Sequence, residues 1–139
     1  MPGQETEQTI RAYLEALLSG GDFARFFSDD VLWTTMETGE EISGRDAVKG
    51  FIIALHSHLF DAKPELRNLI AADGLAAIEA VFVGTHTAEF AGIPATGAEV
   101  RLPYSVSYDV SGGKIDALRV YFPISVLIQQ LKDASTVHA

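Results

Sequence analysis

The stretch "LAAIEAVFVGTHTAEFAGIPATG", residues 75–97, decides the reading of the fold. Its even positions Ala76, Ile78, Ala80, Phe82 and Gly84 are apolar or small, while Glu79, Thr85, Thr87 and Glu89 stand at odd positions. A period of two marks a strand with one buried face. Kept in register, His86 falls on that apolar face. It is there either as a proton-exchanging group in a pocket or as a hydrogen-bonded strand histidine. Gly92, Pro94 and Gly97 then supply turn chemistry and end the strand.

Outward from this strand the same period recurs. Residues 65–72, 98–110 and 115–122 read as strands, separated by Asp73-Gly74 and by "SGGK" at 111–114. Val100, Leu102, Tyr104, Val106 and Tyr108 share one face of their strand. Towards the N-terminus the period becomes helical. Ile10, Tyr13, Leu14 and Leu17 form one stripe of a helix over 4–19, which "SGGD" ends. Asp22 starts a short second helix over 23–27, and 31–37 reads as a short strand followed by a loop over 38–44. A third helix over 45–60 buries Val48, Phe51, Ile52, Leu55 and Leu59, and a short one over 124–132 closes the domain. Helices first and antiparallel strands later predict an α+β fold with the helices on one face of a curved sheet.

The 139 residues suit one domain over 1–139, with 133–139 as a loose tail. The chain carries 10 basic and 19 acidic side chains, a net charge of −9, which argues against tracking nucleic-acid phosphates. No apolar run approaches the ~18 residues of a membrane span. The absence of cysteine excludes disulfides and thiolate metal sites. With Glu5 and Glu7 where a secretory signal carries basic residues, it fits a cytoplasmic protein. His56 and His58 lie two apart on a helix, pointing about 200° from each other, which is wrong for chelating one metal. No metal and no cofactor are expected.

Three stretches carry a further signal: "YLEALLSGGDFARFFSDDV" (13–31), "GTHTAEFAGIPATGAEV" (84–100) and "SGGKIDALRVYFPISVLIQQL" (111–131). Together they resemble the nuclear transport factor 2-like superfamily, within it the SnoaL-like polyketide cyclase group and, more distantly, the ketosteroid isomerases. The resemblance runs from about residue 5 to about residue 132. It implies a cystatin-like cone, in which a curved antiparallel sheet wraps the N-terminal helices and leaves an apolar pocket open at one end. It also implies a homodimer through the outer face of the sheet. The expected ligand is a small hydrophobic carbonyl compound, cyclised or isomerised by proton transfer.

In that group an acidic residue just before the closing helix moves the proton, and the motif places Pro123 there. His86 matches the histidine of the G-T-H-T stretch. Arg119 and Tyr121 share a face with position 123 and, if that face lines the pocket, would hold an oxyanion. The candidate catalytic residues are therefore His86, Arg119 and Tyr121. Tyr13 matches a tyrosine of the first helix, and the position of the isomerase base falls near Thr35 or Met36. Tyr13 and Met36, with Trp33, Phe51, Leu55, Phe82 and Tyr104, complete the expected substrate-binding wall. The alternative is a non-catalytic module on the same fold, binding a small molecule or another protein.

Overall fold

The computed structural model describes residues 2–137. Helix α1 (Pro2–Ser19) buries Ile10, Tyr13 and Leu14, and Gly20 at φ 76° follows its end. A 3₁₀ turn (Phe23–Phe26) leads into β1 (Phe27–Thr35) and β2 (Glu40–Ser43). Helix α2 (Arg45–Ile53) widens into a π-helical turn (Ala54–Leu59), then β3 (Phe60–Ala62). Strands β4 (Glu65–Ala72), β5 (Leu75–His86), β6 (Glu99–Ser111) and β7 (Lys114–Tyr121) follow, and α3 (Ile124–Val137) ends the chain.

The seven strands form one sheet in the order β2-β1-β7-β6-β5-β3, with β4 also paired to β5. All pairs are antiparallel except β1 with β7, so the sheet is mixed where a fully antiparallel one was expected. Periodicity reports which face is buried but carries no pairing direction, and β1 meets its partner from the far end of the chain. The even positions of β5 face the core from Ala76 to His86, as the alternation requires. Gly84 lets β3 lie close: a Cβ there would stand 3.1 Å from the Ala62 Cβ and 3.3 Å from the Asp61 carbonyl oxygen.

Three other expectations are corrected. The segment 38–44 holds a strand, β2, which pairs with β1 at the sheet edge. Its glutamates hid it, because an edge strand tolerates charge that a central strand does not. The third helix stops its α-helical course at Ile53, and its last turn is the wider π form. The supposed tail is helical through Val137, since no Gly or Pro interrupts α3, and His138 lies outside the described residues. Glu37 caps that helix, with the Ser125 N–H 3.3 and 3.4 Å from its two carboxylate oxygens. Among the described residues no helix is long and apolar enough to cross a membrane.

Candidate functional site

The concave face of the sheet and the three helices enclose a cavity of about 90 Å³. Six of the residues expected to line it do so. Tyr13 comes from α1, Trp33 from β1, Phe51 from α2, Leu55 from the π turn, Phe82 from β5 and Tyr104 from β6. The aromatic rings brace one another: Trp33 meets Phe51 edge-on at 5.1 Å, and Phe82 meets Phe122 at 5.3 Å. Met36 does not join them. It follows the end of β1, is 38% exposed, and borders a shallow outer depression with Pro103, Tyr121 and Pro123.

The three candidate catalytic residues are not brought together. On β7, Leu118 and Val120 point inward, so Arg119 and Tyr121 point outward, and Tyr121 is 49% exposed. They do share a side with Pro123, but it is the outer one. The next inward side chain after Val120 is Phe122. Arg119 is engaged on the outer face, its two terminal nitrogens each 2.9 Å from a carboxylate oxygen of Asp109. This bidentate pair holds the Asp109 carboxyl below its usual range and raises the guanidinium.

His86 faces inward as the alternation required, yet it is sealed at 0% exposure and does not line the cavity. The Thr96 N–H donates to its Nδ1 at 3.1 Å, with the Thr96 hydroxyl at 3.0 Å. Nδ1 is thus an acceptor, which puts the ring proton on Nε2. That nitrogen is buried without a hydrogen-bond partner. Burial pushes the imidazole below its ordinary value. The His86 main chain also bonds Ala98 at 2.9 Å and Gly97 at 3.0 Å. His86 therefore latches the base of the 87–97 loop, whose Phe90 reaches the cavity wall.

The polar groups that do reach the cavity are few. Tyr13, Tyr104 and Tyr108 line it, and none of their hydroxyls has a hydrogen-bond partner among the described residues. Tyr13 and Tyr108 have ring centroids 6.0 Å apart. Burial drives all three hydroxyls up, Tyr104 to about 12, and nearby tyrosine hydroxyls raise Tyr13 and Tyr108 further. They keep their protons at neutral pH and can donate them in hydrogen bonds. Trp33 Nε1 is already spent on the Thr35 hydroxyl at 3.0 Å. His56 lines the same cavity, whereas His58 is exposed. No Asp, Glu, Lys or Arg contributes to the wall. Among the described residues no cluster of three or more His, Cys, Asp or Glu could hold a metal ion.

Tyr108 and His56 were missed by sequence reasoning as site residues. The signals were present. Tyr108 shares its strand face with Tyr104, and His56 stands one helical turn, four residues, after buried Ile52.

A family model for SnoaL-like polyketide cyclases matches residues 7–131. The chain belongs to that family. Solved structures agree on the fold. A protein assigned as a SnoaL-like polyketide cyclase from Jannaschia sp. CCS1 is 14% identical, with a TM-score of 0.82 and 91% of each chain covered. One assigned as a polyketide cyclase from Xanthomonas campestris pv. campestris is 22% identical, with a TM-score of 0.80, covering 94% of this chain and 99% of that one. One assigned as a ketosteroid isomerase from Kribbella flavida is 22% identical, with a TM-score of 0.69, covering 87% and 79%. No curated protein matches at a significant level.

Proposed function

We propose that this SnoaL-like protein binds a small, mostly apolar carbonyl compound in the cavity and acts on it as a cyclase or isomerase by proton transfer. The observation that carries this reading is the cavity's polarity. Its wall is apolar apart from His56, the Trp33–Thr35 pair and three unpartnered tyrosine hydroxyls. Phenols that stay protonated are donors, and a ketone or enolate oxygen accepts from them. As an enolate forms, its oxygen gains charge and those bonds strengthen, which is the condition for catalysis rather than binding alone. At about 90 Å³ the cavity is well below the roughly 300–1,000 Å³ of common ligand pockets and below the ~150 Å³ that takes one benzene ring, so a ligand of one or two rings enters only as the wall widens.

A second reading, non-catalytic binding, has its own support. The inward positions at the end of the last strand are Leu118, Val120 and Phe122, and position 123, where the resemblance expects an acid, is Pro123. With no Asp or Glu among the cavity's lining residues, this supports binding without the carboxylate step that the resemblance implies.

Trp33 is the only tryptophan and lines the cavity, so its fluorescence reports occupancy directly. Titration with 2-tetralone, an enolisable two-ring ketone, should give saturable quenching. Tyr104→Phe should weaken binding about fivefold, the loss of one hydrogen bond worth roughly 1 kcal/mol. Absence of saturable quenching would remove the proposal. Saturable binding without any turnover or exchange would leave the second reading.

A further inference from the structure

We infer that His56, acting through Nε2, is the proton acceptor of this cavity. The inference rests on the carbonyl-binding reading above and goes beyond it by naming the base. No carboxylate and no lysine reach the wall, and the three tyrosines hold their protons too tightly to act as bases. His56 is the one cavity-lining side chain that exchanges a proton near neutral pH.

Its geometry fits the task. Nδ1 lies 2.8 Å from the Ile52 carbonyl oxygen. A carbonyl only accepts, so Nδ1 carries the proton and Nε2 presents the lone pair. Nε2 has no partner among the described residues, and it is not a sealed atom as the His86 Nε2 is. The ring stands edge-on to Phe82 with centroids 6.0 Å apart, and Phe82 is wedged between Phe60 and Phe122. The far end of the π turn is pinned as well. Thr87 donates its hydroxyl to the His58 carbonyl at 3.0 Å and its N–H to the Leu59 carbonyl at 3.1 Å. A base held from both sides in one tautomer is preorganised, and single π turns inside helices are frequent at functional sites.

The step balances without a co-reactant. The Nε2 lone pair takes the proton from the carbon next to the carbonyl. The C–H electron pair becomes the new C–C π bond, and the carbonyl π pair moves to oxygen. The enolate oxygen accepts from a tyrosine hydroxyl. Nε2–H then returns a proton to carbon, giving exchange at the same carbon or isomerisation at another.

The titratable groups facing His56 across the cavity are Tyr13 from α1 and Tyr104 and Tyr108 from β6. Strands β1, β5 and β7 and helix α3 contribute no charged side chain to the wall, and His58 on the same turn points to solvent. Burial lowers the His56 value, with the Ile52 carbonyl opposing in part, so the imidazole is neutral and available at pH 7. The rate should therefore rise with pH and level off above an apparent pKa lower than the ordinary ~6.5.

The test follows deuterium uptake by 2-tetralone in D₂O by proton NMR, with binding measured in parallel by Trp33 fluorescence. Wild-type protein should exchange the ketone saturably with that pH profile. His56→Gln should lose about 10²-fold or more in exchange while 2-tetralone affinity stays within about threefold. His56→Ala should regain exchange when imidazole is added, a rescue that a merely structural residue would not show. Exchange within about threefold of wild type in His56→Gln overturns the inference. So does 2-tetralone binding to wild type without exchange, which leaves the binding reading standing, whereas no binding overturns both. If both variants fail to fold, the wild-type profile decides: a rate with no acid limb down to the lowest pH at which the protein stays folded overturns the assignment.

Discussion

Removing the His86 ring tests the claim that this residue holds a loop and does no chemistry. In His86→Ala three effects compete. The ring stacks on Phe60 with centroids 5.4 Å apart in a fully buried site, and deleting it leaves a cavity worth about 2–3 kcal/mol, the low end for a large-to-small change. The Thr96 N–H loses its acceptor, which costs about 1–2 kcal/mol. The unpartnered Nε2–H disappears, which returns a similar amount. The net loss is about 2–3 kcal/mol, a drop in Tm of roughly 10 °C for a chain this size. Urea unfolding followed by Trp33 fluorescence measures it. His86→Phe fills the site with a slightly larger ring and exchanges one polar defect for another, so it should cost about 1–2 kcal/mol, less than the alanine variant.

The same pair of variants carries a pH signature. The folded-state value of His86 is lowered, so the unfolded chain binds more protons between that value and ~6.5. The contribution is complete above about pH 6.5 and fades as pH falls through the lowered folded value. His56 adds a loss of the same sign. His86→Phe should therefore unfold with a shallower acid slope than wild type, while 2-tetralone affinity stays within about threefold. Stability of His86→Ala within about 0.5 kcal/mol of wild type, or an unchanged acid slope in His86→Phe, would refute the latch.

Three further outcomes are expected. Arg119→Ala should leave 2-tetralone binding and exchange unchanged, because Arg119 points away from the cavity and is engaged by Asp109 on the outer face; a large loss of exchange would return Arg119 to the site. Gly84→Ala should destabilise by about 1 kcal/mol in urea unfolding, since its Cβ would press on Ala62 and the Asp61 carbonyl, and a neutral result would show that β3 yields freely. We also propose, from the family resemblance, that two copies pair through the outer face of the sheet. Sedimentation velocity at micromolar concentration should show a dimer, and a monomer would exclude the pairing.

Much of the fold was legible because burial sets a period. The alternation from Ala76 to Phe82 and the stripe Ile10, Tyr13, Leu14, Leu17 each named an element and its buried face. What failed needed information that no period carries. The β2 strand is only four residues long and only Ile42 of them is half-buried, so no alternation marks it. The parallel pairing of β1 with β7 is a property of topology. Arg119 and Tyr121 fall outside the cavity because Leu118 and Val120 fill the inward positions of β7, which puts position 123 on the outer side with them. His86 was placed on the correct face, but facing inward is not the same as reaching the cavity: Thr96 and Phe60 occupy the space around it. The spacing of His56 to His58 speaks only against a shared metal, whereas its spacing to buried Ile52 is what turns it inward.

A crystal structure of the complex with 2-tetralone tests the cavity assignment most directly. The ketone should lie between Trp33 and Phe82, its oxygen within roughly 3 Å of a tyrosine hydroxyl and its α-carbon within about 3.5 Å of His56 Nε2. A ketone bound in the outer depression beside Tyr121, with the cavity closed, would contradict both the site and the chemistry assigned to it.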